Sequence, residues 1–148
     1  MFEPGRVICG NAGVLVTKVI RVKPGSGNVP FVIVDAAMND LARPALYDAW
    51  HDFEAVEPTG ERFTANIVGP VCETGDTFAM AREIDVVRQG DLGLLRTCGA
   101  YGATMASTYN SRGLVPEVLV DGDKFAIVAE RIAPETILAA EHVPDWLK

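Results

Sequence analysis

The sequence predicts a mostly β domain, closed or nearly closed, with a few short helices. Three observations carry that expectation. Apolar runs rich in β-branched residues dominate, turn signals separate them, and every helical signal is short. The 148 residues suffice for a single domain with a sizeable core. With 49% hydrophobic and 22% charged residues, the chain reads as globular rather than disordered.

The elements follow in order. "GVLVTKVIRVK" (Gly13–Lys23) is a long strand-like run, broken by "PGSGN" (Pro24–Asn28). "VPFVIVDAA" then reads as a second, buried strand. "NDLARPALYDAWHD" suggests a short helix that Asn39 or Asp40 could cap, with Pro44 confined to its first turn. "FTANIVGP" (Phe63–Pro70) and "GDLGLLRTCGAYG" (Gly90–Gly102) are further strand-like runs. "PEVLVDGDKFAIVAER" offers two strands around Asp121-Gly122-Asp123, because an Asp-Gly pair between apolar runs signals a hairpin. "APETILAAEH" (Ala133–His142) opens with a proline where a first helical turn tolerates one. There is no internal repeat and no low-complexity linker.

A formal charge of −7 argues against nucleic acid or an anionic membrane as partner, since both demand clustered Lys and Arg. No apolar run reaches the length of a membrane span. The opening "MFEPGRVICG" lacks the basic-then-apolar order of a signal peptide. Cys9, Cys72 and Cys98 are widely spaced, without a CxxC, and only His51 and His142 could join them as ligands. That pattern predicts neither a disulfide framework nor a metal site, and it points to the reducing cytoplasm.

Several stretches invite a chemical reading. In "EPGR" (Glu3–Arg6) the glycine lets backbone approach an anion, and the arginine supplies a planar donor fork. A plain turn explains the same four residues. Arg43 and Tyr47 are four apart, so on a helix they share a face, where guanidinium and phenol can hold one carboxylate. In "IVGPVCETGD" (Ile67–Asp76), Cys72 is either a small hydrophobe ending a buried strand or a thiol placed beside Glu73 for chemistry. The Gly69-Pro70 bend and Gly75 suit a loop there.

Taken together and in this order, EPGR, "VDAAMNDLARPALY" (Val34–Tyr47), "VGPVCETGD" (Val68–Asp76), "GDLGLLRTCGAYGATMASTYN" (Gly90–Asn110) and "PEVLVDG" (Pro116–Gly122) resemble the C-terminal part of the diaminopimelate decarboxylases. These belong to the pyridoxal-phosphate decarboxylases that join an alanine-racemase-like (β/α) barrel to a β-domain. The resemblance covers essentially the whole chain. It implies a C-terminal β-barrel or sandwich domain of the alanine racemase/ornithine decarboxylase type over residues 1–148. Residues 1–12 would be a remnant of the last barrel strand and its following helix. The N-terminal barrel, with the lysine that forms the Schiff base to the cofactor, lies outside this sequence, so the chain is expected to be inactive alone.

Residue roles follow from the resemblance. Glu3 would hold the ring nitrogen of pyridoxal 5′-phosphate protonated, and Gly5 and Arg6 would contact its phosphate, Arg6 also reaching a substrate carboxylate. Arg43 and Tyr47 would hold the far carboxylate of meso-diaminopimelate, and Glu73 its far ammonium. Tyr101 would close over the cofactor and substrate. Cys72 corresponds to the cysteine that the family uses as catalytic proton donor. The family's Cys-Glu loop serves the neighbouring subunit, which implies a homodimer with shared active sites. Cys9 and Cys98 read as packing residues. Three other readings stand beside this one: a non-catalytic self-associating β-domain, the equivalent domain of an ornithine- or arginine-type decarboxylase, and a cysteine hydrolase pairing Cys72 with His51 or His142.

Overall fold

A computed structural model describes residues 1–147, Ser26 by its backbone alone. The chain forms two compact units, Met1–Met105 and a second from Ala106 onward.

In the first unit a short helix α1 (Gly5–Cys9) and a 3₁₀ turn (Gly10–Ala12) lead into strand β1 (Leu15–Lys23). There follow β2 (Phe31–Val34), helix α2 (Arg43–Tyr47), β3 (Phe53–Ala55), β4 (Arg62–Val68), β5 (Thr77–Asp85) and β6 (Leu92–Leu95). The six strands form one sheet in the order β3-β6-β1-β2-β4-β5. All pairings are antiparallel except β2 with β4, which places Val32 beside Ile67. A parallel pair needs a crossover rather than a hairpin, and that crossover carries α2. The outer strands approach each other where the Ala55 N–H donates to Asp85 Oδ2 at 3.2 Å, so the sheet curls to a nearly closed barrel. Its interior is filled by Val19, Val32, Val34, Ile67, Ile84 and Leu95, all fully buried. Along β1, Thr17 and Val19 point inward while Val16, Lys18 and Ile20 face out, the period-two alternation of a half-buried strand.

In the second unit β7 (Glu117–Asp121) and β8 (Lys124–Ala129) pair as an antiparallel hairpin around Gly122-Asp123. Gly122 has φ +61°, a conformation glycine adopts without a Cβ penalty. Helix α3 (Pro134–Leu138) starts on Pro134, as its sequence predicts. Among the described residues, no helix is long and apolar enough to cross a membrane.

The structure corrects the sequence reading in four places. The helix in Asn39–Asp52 spans only five residues and starts at Arg43, preceded by Ala42, which supplies no side-chain cap. Asp40 instead folds the turn before it, accepting the Ala37 N–H at 2.9 Å. The run Gly90–Gly102 contributes four strand residues, its remainder forming a turn. Strand β5 escaped the sequence reading because "TFAMAREID" mixes alanine and charges where β-branched residues would advertise a strand. Its antiparallel pairing with β4 supplies what local propensity lacks. Finally, Cys9 is exposed rather than packed, its thiol donating to the Gly5 carbonyl at 3.4 Å.

Candidate active site

Two loops and two short helices build the candidate site. The N-terminal run Glu3–Arg6 is exposed, with the Gly5 N–H donating to the Glu3 carbonyl at 2.9 Å as α1 begins. The chain after α1 is then laid against the turn that follows β6. Cys98 N–H donates to the Gly13 carbonyl at 2.8 Å, and Gly99 N–H to the Gly10 carbonyl at 3.0 Å. The backbones approach so closely that a Cβ on Gly99 would overlap the Cys9 carbonyl oxygen. This contact carries Tyr101 to Gly5, where its hydroxyl stands 3.4 Å from the position a Gly5 Cβ would take. Tyr101 itself has φ +62°, a left-handed conformation that a bulky residue adopts only where its surroundings enforce it.

Helix α2 supplies the second part. The Arg43 guanidinium lies 5.5 Å from the Tyr47 ring centroid and 5.3 Å from that of Tyr101. One cation therefore bridges the two phenols, using the electron-rich ring faces and leaving its N–H groups for an anion. Below this group, His51 is 1% exposed. Its Nδ1 lies 2.8 Å from the Arg96 carbonyl, which can only accept, so Nδ1 carries the proton. Burial, and then the charges of Arg43, Arg6 and Arg82, hold its pKa below the ordinary 6.5, against the opposing pull of the Arg96 carbonyl. Arg82 stacks on Trp50 at 3.5 Å and donates to the His51 carbonyl. Three arginines thus lie within electrostatic reach of one buried imidazole, two of them against aromatic rings.

The Cys72–Glu73 pair lies on a separate loop between β4 and β5, beyond the end of any strand. Cys72 is exposed, which rejects the buried-strand alternative. Glu73 Oε1 accepts the Gly75 N–H at 3.1 Å, and the Glu73 carbonyl accepts the Asp76 N–H at 3.0 Å. The loop packs beside α2: a Cβ on Gly75 would stand 3.8 Å from the Cβ of Ala45. Cys98, in contrast, has its thiol pushed up to about 11, chiefly by burial. Among the described residues, no group of three or more His, Cys, Asp or Glu side chains could hold a metal ion.

The structure thus gathers Gly5, Arg43, Tyr47 and Tyr101, and brings Arg6 within electrostatic reach of the same imidazole. The sequence reading weighed His51 only as a metal ligand or as a partner for Cys72, and it quoted Asp76 in a motif without singling it out, although an acid directly after Gly75 could have flagged a loop closure.

Residues 7–99 match the family described as pyridoxal-dependent decarboxylase, C-terminal sheet domain. The chain is 54% identical over 147 residues to the diaminopimelate decarboxylase of Zymomonas mobilis, covering 99% of this chain and 35% of that protein. It is similar in structure to diaminopimelate decarboxylase from M. jannaschii in complex with L-lysine, with TM-score 0.91 at 35% identity over 97% of this chain and 33% of that one. The enzyme from Helicobacter pylori, also complexed with L-lysine, gives TM-score 0.85 at 41% identity over 93% of this chain and 34% of that one. The chain spans about a third of the length of the curated relatives it matches.

Proposed function

The chain belongs to the C-terminal sheet domains of the pyridoxal-dependent decarboxylases, and from that premise we propose that it is the substrate-gripping and proton-donating domain of a cytoplasmic diaminopimelate decarboxylase. The reaction converts meso-2,6-diaminopimelate to L-lysine and carbon dioxide, in a homodimer whose sites draw on both chains and on a (β/α) barrel. The observation that carries this reading is Arg43 lying between the rings of Tyr47 and Tyr101. A near-symmetrical diacid must be held at its far end so that only the near carboxylate is lost. A guanidinium fixed between two phenols is built to grip that far carboxylate.

The residues present suit pyridoxal 5′-phosphate. Glu3 and Arg6 are exposed near a glycine that leaves the Tyr101 hydroxyl uncovered. That set offers a carboxylate for the pyridine nitrogen, a cation and free backbone for the phosphate, and an aromatic face for the ring. When bound, the cofactor supplies the electron sink for loss of carbon dioxide. Glu3 holds the proton on the ring nitrogen, while Arg6 and Gly5 bind phosphate. Arg43 and Tyr47 orient the far carboxylate, and Glu73 pairs with the far ammonium. Cys72, exposed on its loop, delivers the proton from Sγ to the carbon that has lost its carboxylate.

The test is a complementation titration, in which the barrel, or an intact relative with its Cys-Glu loop disabled, is mixed with this chain. Release of carbon dioxide from meso-diaminopimelate should appear only in the mixture and fail with Cys72→Ala. Turnover by the chain alone, or rescue by Cys72→Ala, overturns the reading. In the rescued enzyme, Arg43→Lys should raise KM about tenfold or more, because an ammonium cannot reproduce the bidentate fork.

A further inference from the structure

Asp76 closes the Cys72–Glu73 loop and is 3% exposed. Its two carboxylate oxygens serve two different segments. Oδ2 accepts the Val71 N–H at 2.7 Å, within the loop, and Oδ1 accepts the Met38 N–H at 2.6 Å, across from it. The main chain reinforces the closure, since Gly69 N–H donates to the Asp76 carbonyl at 2.9 Å. Gly69 has no alternative, because a Cβ there would fall on the Asp76 carboxylate.

Met38 is the inner residue of the turn that launches α2. The Ala37 carbonyl accepts from Asp40 N–H at 2.8 Å and Leu41 N–H at 3.2 Å, and Leu41 is buried in the core two residues before Arg43. We propose that Asp76 is a positioning residue whose carboxylate clamps the Cys72–Glu73 loop to the turn preceding α2. The loop bearing the thiol and the helix bearing Arg43 and Tyr47 then move as one body. The clamp stands on this geometry, and its importance for the reaction rests on the function proposed above. Carboxylate chemistry is required. Two N–H groups need two acceptor atoms, and an amide offers one while setting its own N–H against the other donor. A loop freed by even an ångström misplaces the groups it carries.

The test compares the 148-residue chain with Asp76→Asn. In the parent chain the Val71 and Met38 amides should exchange slowly and together, and in Asp76→Asn both should exchange roughly tenfold faster or more. Alkylation of Cys72, measured against exposed Cys9, should change by about threefold or more while the variant remains folded. A variant that loses thermal stability but keeps the parent exchange pattern and Cys72/Cys9 ratio overturns the proposal, since that is a purely structural role. Should Asp76→Asn not fold, exchange in the parent decides: Val71 and Met38 amides exchanging at unprotected rates overturn it. The complementation assay separates the two ideas. Altered exchange in Asp76→Asn alongside undiminished rescue by Cys72→Ala would support the clamp and reject Cys72 as proton donor.

Discussion

At His51 the proton sits on Nδ1, held by the Arg96 carbonyl, while Nε2 is buried with no hydrogen-bond partner among the described residues. Charging that imidazole would bury a cation among Arg43, Arg6 and Arg82, which is why its pKa is lowered. The sign for stability follows. As pH falls below 6.5 the unfolded chain takes up a proton that the folded chain refuses until its own lower pKa is reached. Stability therefore falls with pH across that window, by at most about 1.4 kcal/mol per pH unit. Urea unfolding at pH 7.5 and 5.5 should show the loss, and His51→Asn, which keeps a donor for Arg96, should flatten it. An unchanged slope in the variant would assign the effect elsewhere. The cysteines make a second test. With its thiol pushed up to about 11, Cys98 holds roughly one thiolate in a thousand at pH 8, so iodoacetamide should modify Cys9 and Cys72 first. The sequence reading set Cys72 apart but left Cys9 and Cys98 alike as packing residues, and nothing local separates those two. Burial does.

Between elements, the close approach of the chain after α1 to the turn after β6 matters most. Both sides are backbone at Gly13 and Gly99, so no rotamer change relieves an added methyl. Gly99→Ala should cost roughly 2 kcal/mol or more, read as a shift in the urea midpoint, and should move Tyr101 away from Arg43. A loss below about 0.5 kcal/mol would show that the two segments separate freely. The glycines were visible in "CGNAG" and "TCGAYG", but not that they meet. Helix α2 teaches the same lesson from the other direction. The Arg43–Tyr47 spacing and the Pro44 position were legible, yet Ala42 rather than an Asx residue stands at the cap, with Asp40 already engaged in the preceding turn.

Across the molecule, burial is uneven. The interior of the barrel is lined by fully buried apolar side chains, whereas the β7–β8 hairpin exposes Val118, Leu119, Val120, Phe125, Ile127 and Val128. Ile67→Ala, at a fully buried site, should cost about 2–5 kcal/mol. Phe125→Ser, where the residue is 78% exposed, should change stability by no more than about 0.5 kcal/mol. Equal costs at the two positions, measured by urea titration, would contradict this division. Apolar surface on this scale serves association more readily than the folding of the unit that displays it.

The sequence by itself determined the β character, the Asp-Gly hairpin, the Pro-led helices and the spacing of Arg43 and Tyr47. These depend on propensity and spacing within about ten residues, where chain connectivity fixes the geometry. The tertiary structure alone decided that β5 is a strand, that Arg43 reaches Tyr101, that His51 stays neutral and that Asp76 ties its loop to the turn before α2. Each of those depends on which distant segments the parallel β2–β4 crossover and the curled sheet bring together. Burial and charge at such meeting points are sums over neighbours that no local stretch of sequence contains.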